Sequence, residues 1–188
     1  MQQADFQITA FSHRLASPFL HEGALCIDAT MGKGQDTVFL CQGAGNAGRV
    51  IAFDIQPEAL EHTGKALENE GLTNAELILQ SHENMADYAS PETVDLIMFN
   101  LGYLPGGDHS ICTRAPSTIT ALNQALTILK KGGAICLVIY SGGDTGNEEK
   151  EAVLQWLKNL NPRQYLVILS EYYNRPNNPP VPVMIIKL

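Results

Sequence analysis

Short apolar runs alternate with longer amphipathic stretches along most of this chain, and that alternation leaves few folds open to it. Residues 24–28, 49–53, 75–79, 94–99, 134–140, 165–170 and 181–188 have the length and composition of strands. Between them, 35–42, 57–70, 117–129 and 148–159 carry helical spacing, with a shorter stretch at 83–89; Pro57 suits a first helical turn and Gly71 a helix end. Strand–helix–strand repetition requires crossover connections, and hence a largely parallel sheet covered on both faces. The last two runs are joined only by the 174–180 loop, which predicts that the final strand enters antiparallel. The expectation is a single α/β domain over 1–188. Its Rossmann-like sheet has seven strands, mostly parallel, with helices on both faces, and a helical segment within 1–22, centred on 6–20, lies over the ligand site.

Composition narrows the class further. The 188 residues fit one domain, and 45% hydrophobic content is enough to bury a core. No apolar run approaches the roughly 20 residues that span a bilayer, and the start, MQQADFQITAF, lacks a basic segment followed by an apolar one, so a cytoplasmic protein is expected. Cys26, Cys41, Cys112 and Cys136 are widely separated and form no C-x-x-C pair, which reads as reduced structural thiols and no metal site. A net charge of −8 argues against indiscriminate binding of nucleic acid, although Lys33, Arg114, Lys130, Lys131, Arg163 and Arg175 are candidates for local phosphate contacts.

Ligands of open parallel sheets sit beyond the carboxyl ends of the strands. The first strand runs into Asp28-Ala29-Thr30-Met31-Gly32-Lys33-Gly34-Gln35-Asp36, where two glycines permit a tight turn and close approach of a ligand. Asp54, at the end of the second strand and 26 residues after Asp28, is placed to accept hydrogen bonds from both hydroxyls of a ribose. Gln80-Ser81-His82 follows the third strand, where polar groups could bracket an adenine. The position three after Gly34 is Thr37, so the third glycine of a dinucleotide fingerprint is missing and NAD is disfavoured. Turn and cap roles for Asp28, Asp54 and the glycines compete with these readings at each position.

The fourth strand ends in Asn100-Leu101-Gly102-Tyr103-Leu104-Pro105, which resembles the N-P-P-Y type motif of amine-directed methyltransferases with Leu101 and Gly102 in place of the prolines. An amide oxygen at Asn100 can accept N–H bonds from a target amine and aim its lone pair, while Tyr103 can stack on the group that carries it. A strand-ending turn with a packing tyrosine is the competing reading.

With D-A-T-M-G-K-G-Q-D-T from Asp28 to Thr37 and N-L-G-Y-L-P-G-G-D from Asn100 to Asp108, almost the whole chain resembles the YtqB-like putative rRNA methylase family, whose characterised members are tRNA methyltransferases. Lys33 stands where such proteins commonly have Asn. The resemblance implies a class I methyltransferase fold and S-adenosyl-L-methionine (SAM) as methyl donor. It also implies methylation of 5-aminomethyl-2-thiouridine at the tRNA wobble position. By the same carry-over Asp28, Thr30, Gly32, Gly34, Asp36, Asp54, Gln56, Ser81, His82 and Asn100 form the SAM site, and Asn100, Leu101, Gly102 and Tyr103 face the target. Asp108, His109, Thr113 and Arg114 lie in a loop that could touch tRNA or take up the amine proton, or be an ordinary solvated loop. His13 and His21 are read as more often surface or packing residues than pocket ones, and Trp156 with Val153, Leu154 and Leu157 as a core-facing helical stripe. A homodimer is a further expectation, since a minimal catalytic domain has little surface for tRNA. A different amine substrate, a non-catalytic SAM sensor and an NAD enzyme are the alternatives.

Overall fold

The computed structural model describes residues 7–102, 113–140 and 146–188. Seven strands form one sheet: β1 (Leu25–Asp28), β2 (Arg49–Asp54), β3 (Ala75–Leu79), β4 (Val94–Leu101), β5 (Leu129–Ile139), β6 (Tyr165–Leu169) and β7 (Val181–Lys187), in the order β3-β2-β1-β4-β5-β7-β6. Strands β1 to β5 pair in parallel, and β7 runs antiparallel to both β5 and β6. The helices are α1 (Ile8–Ala16), α2 (Gln35–Ala44), α3 (Pro57–Asn69), α4 (Ala115–Ile128) and α5 (Gly146–Lys158).

Period-two alternation along the strands builds two cores. On one face Ile27, Ile97, Phe99, Ile135, Leu137 and Ile185 meet Ala121, Leu122 and Ala125 of α4 and Val153 and Leu157 of α5. On the other, Cys26, Leu96, Met98, Ala134, Cys136 and Met184 meet Ala16 at the end of α1 together with Leu40, Cys41 and Leu67 from α2 and α3. Cys26, Cys41 and Cys136 are thus buried free thiols, and burial pushes each of them up to about 12. Pro57 occupies the first turn of α3, and Gly71 follows its end with φ 65°, the left-handed conformation that closes many helices.

Two boundaries and the packing of one residue differ from the sequence expectation. The stretch expected as helix from 83 is a 3-10 turn, His82–Asp87, capped by Ser81. Helix α4 stops at Ile128, because Leu129 already pairs with Val94 and opens β5 five residues early, ahead of a register shift. Trp156 lies half-buried at the edge of the apolar cluster rather than inside it, donating its indole N–H to Asn123 Oδ1 at 3.0 Å.

The chain winds outward from β1 through β2 and β3, then returns to β1's other side with β4. The reversal falls between β1 and β4, where Ala29 N–H donates to Met98 carbonyl at 2.9 Å. The crevice outside the carboxyl ends of these two strands is where such a sheet receives a ligand.

Candidate functional site

The loop after β1 is held by its own acid. Asp28 is fully buried; Oδ1 accepts the Thr30 N–H at 3.1 Å and Oδ2 the Thr37 hydroxyl at 2.6 Å, which ties the turn to the first turn of α2. Gly32 and Gly34 take φ 52° and 85°, the region glycine enters without penalty. A β-carbon on Gly34 would lie 3.0 Å from Thr63 Cα, so the close approach this glycine permits is that of α3. Asp54 clasps the same loop from β2, accepting Gly32 N–H at 3.1 Å through Oδ2 and Gln56 N–H at 3.0 Å through Oδ1; Gln56 is buried as the N-cap of α3.

Thr30 joins the loop to the end of β4: its hydroxyl oxygen accepts Asn100 N–H at 2.7 Å. Asp36, nearly buried in the first turn of α2, then joins three segments. Its Oδ2 accepts the Asn100 side-chain amide N–H, and its Oδ1 accepts His13 Nε2–H from α1 at 2.6 Å. A carboxylate only accepts, so the NH2 of Asn100 must face Asp36, and the amide oxygen is left to be presented to another donor. The His13 ring is stacked on Phe39, 4.0 Å between centroids and 6° from parallel.

Desolvation, and after it the negative charge of Asp36, push Asp28 up to about 8 against the pull of its Thr37 and Thr30 bonds, with Asp54 adding a smaller push. Among the described residues, no group of three or more His, Cys, Asp or Glu side chains is arranged to hold a metal ion. Next to the loop His82 is buried against Phe99; burial lowers its pKa, and its Nδ1–H donates to Ala29 carbonyl at 3.1 Å. The remaining ring nitrogen, Nε2, is a buried acceptor with no partner among the described residues. Ile55, beside Asp54, exposes 55% of its surface, an apolar face at the same edge of the crevice.

Several expected site residues take other positions. Leu101, expected toward the target, points into the α4–α5 core, since strand alternation puts it with Phe99 and opposite Asn100. Ser81 caps its own turn through Glu83, accepting that residue's N–H and donating to its carboxylate at 3.0 Å. Arg114 is exposed at the N-cap of α4, and Lys130 pairs with Asp95 at the far end of the sheet. Tyr103, Asp108 and His109 lie outside the described residues.

The structure adds partners that sequence reading missed. Gly102, with φ 147°, is fastened to Thr113 twice: its N–H donates to Thr113 Oγ1 at 2.8 Å and its carbonyl accepts Thr113 N–H at 2.9 Å. Buried Glu149 of α5 accepts the hydroxyls of Thr113 at 2.8 Å and Thr118 at 2.6 Å, so one carboxylate links the end of β4, through Thr113, to the first turn of α4. His13, too, belongs to the site.

The strand order follows a dinucleotide-binding sheet as far as β5 and departs from it where β7 inserts antiparallel beside β5. That departure defines the class I methyltransferase fold. The chain belongs to the family described as "Putative rRNA methylase", whose profile matches residues 50–186. A curated relative, the chloroplastic tRNA (mnm5s2U34)-methyltransferase of Arabidopsis thaliana, is 36% identical over 182 residues. The match covers 91% of this chain and 66% of the relative's own length. Among solved structures, a putative rRNA-methylase from Clostridium thermocellum is 46% identical with a TM-score of 0.92, covering 95% of this chain and 96% of that one. A putative methyltransferase from Streptococcus mutans, solved in complex with SAH, is 38% identical with a TM-score of 0.88, covering 97% and 98%.

Proposed function

We propose that this methyltransferase uses SAM to methylate the aminomethyl nitrogen of 5-aminomethyl-2-thiouridine at the tRNA wobble position, giving 5-methylaminomethyl-2-thiouridine. The observation that carries the reading is the amide of Asn100, turned by Asp36 so that its oxygen is the acceptor offered to an N–H donor. The name of the Arabidopsis relative supports the particular amine.

SAM supplies an electrophilic methyl group on a sulfonium. The residues present fit such a ligand: its sulfonium and ammonium are cationic and its carboxylate anionic, Asp36 and Asp54 place carboxylates beside the loop where it would lie, and buried Asp28, pushed up to about 8, can ionise in response to a cation. Gly32 and the start of α2 would approach its amino-acid end, Asp54 its ribose and Ile55 a face of its adenine. The orphaned His82 Nε2 would accept a ligand N–H or O–H. Toward the target, Asn100 Oδ1 would hold the neutral amine in line for displacement, with Tyr103 the expected stacking partner for the pyrimidine. His13 and Asp36 act as positioning residues, since they keep the Asn100 amide from rotating.

We infer the cytoplasm as the compartment, where a tRNA pool and reduced thiols coexist; among the described residues, no helix is long and apolar enough to cross a membrane. A homodimer, which would widen the surface offered to RNA, is tested by light scattering of the purified protein. The reaction itself is tested by nucleoside mass spectrometry of tRNA from cells lacking the gene. The aminomethyl nucleoside should accumulate and be converted when purified protein and SAM are added; an unchanged profile would sink the assignment.

A further inference from the structure

A groove of about 340 Å³ lies between the β6–β7 connection and the start of α5, lined in part by Lys150, Tyr172, Tyr173, Arg175 and Asn178. The path to it from the acceptor motif is short. A β-carbon on Gly102 would stand 3.9 Å from that of Tyr140 at the end of β5. Tyr140 lies near Asp36 and Tyr172, and Tyr172 in turn meets Phe11 of α1 with ring centroids 6.0 Å apart.

Three features of this groove suit it to single-stranded RNA. Tyr173 exposes 93% of its surface, an arrangement that has no packing rationale and leaves an aromatic face open. Cations cluster beside it on a chain whose total charge is −8: Lys150 and Arg175 line the groove, and the guanidiniums of Arg14 and Arg175 both act on Tyr172 against the effect of its burial. The connection is also preformed. Asn177 and Asn178 take φ 65° and 46°, and Pro176, Pro179 and Pro180 around them fix their own torsions, so little entropy is lost on binding. Glu171 lines the same groove and offsets part of its positive charge, which gives stacking a larger share of the affinity.

We propose that this groove holds the RNA strand flanking the methylated nucleotide, with a base stacked on Tyr173 and phosphates met by Arg175 and Lys150. The proposal rests on the tRNA reading above, and its test separates the two. Fluorescence anisotropy with a labelled anticodon stem–loop hairpin measures the affinity, and calorimetry with SAH monitors the donor site. Tyr173→Ala should weaken hairpin binding about 5- to 150-fold, whereas Tyr173→Phe, which keeps the π-face, should bind like wild type. Arg175→Gln should weaken binding and reduce the slope of log affinity against log salt by about 0.7 to 0.9. SAH affinity should be unchanged in all three. Wild-type hairpin affinity in both Tyr173→Ala and Arg175→Gln, in a protein whose wild type methylates tRNA, overturns the groove and leaves the enzyme reading standing. A wild type that neither binds the hairpin nor methylates tRNA overturns both.

Discussion

Each end of the sheet carries a buried aspartate that meets a histidine from the segment preceding β1, and the two ends use this pairing in opposite ways. At the amino end Asp95 accepts Leu25 N–H at 2.9 Å and His21 Nε2–H at 3.0 Å and pairs with Lys130. Burial opposes its ionisation, but these bonds prevail and hold its carboxyl below the ordinary range, while His21 is raised by its bond to the Glu22 carbonyl and then by Asp95. Asp95, His21 and Lys130 are mutually paired there, and the cluster staples the start of β1 to β4 and β5. At the carboxyl end Asp36 meets His13 and Asn100, Asp28 is pushed upward, and His82 keeps a buried nitrogen with no partner among the described residues. Carboxylates that raise one another's pKa, beside a buried acceptor that is unpaired among the described residues, suit a cationic, hydrogen-bonding ligand. The satisfied end contributes to stability; the unsatisfied end is where the chemistry is expected.

The sharpest way to break that contrast is at Asn100. Asn100→Ala should lower single-turnover methyl transfer to tRNA by roughly 100-fold or more, the scale of lost preorganised contacts to a reacting group, while SAH affinity by calorimetry stays within a few-fold. A similar loss from Asp95→Asn would erase the distinction between the two ends. His13→Ala should reduce kcat by about 10-fold, with a smaller change in KM for tRNA, because a hydrogen bond to a charged group that orients Asn100 is lost. His13→Gln, which can still donate to Asp36, should recover part of the rate in the same kinetic assay.

Smaller effects separate the ends by pH. Asp95 has a folded-state pKa below its unfolded one, so its contribution is present above the ordinary 3.8 and is lost as pH falls through the folded value. Asp95→Asn should therefore cost a few degrees of Tm, on the scale of about 1–2 kcal/mol, near neutrality and progressively less in acid. Asp28 has the opposite sign. Its folded pKa is raised, so the contribution is fully present below 3.8 and declines as pH rises to about 8. In thermal melts of the ligand-free protein, Asp28→Asn should flatten the fall in stability over that window.

Periodicity made the fold legible: runs of alternating burial gave the strands, helical stripes gave α2 to α5, and the short 174–180 connection implied the reversed final strand. Position at strand ends was enough to single out Asp28, Asp54 and Asn100. What each side chain would touch was harder to read, because that depends on contacts between segments distant in sequence. His13 reaches Asp36 across 23 residues and Thr30 reaches Asn100 across 70. Two signals were nonetheless there to be read. Phe99 and Leu101 share a strand face, which removes Leu101's side chain from the target, and Glu149 falls in register with Val153 and Leu157 on the buried stripe of α5 rather than on its solvated side.

The most direct test of the carboxyl end is calorimetry of SAM binding near neutral pH in buffers of different ionisation enthalpy. A cationic ligand favours the ionised form of Asp28, so binding should release protons, the observed heat should vary with the buffer, and Asp28→Asn should suppress that variation. Absence of SAM binding, or binding whose heat is independent of the buffer in the wild-type protein, would contradict the account.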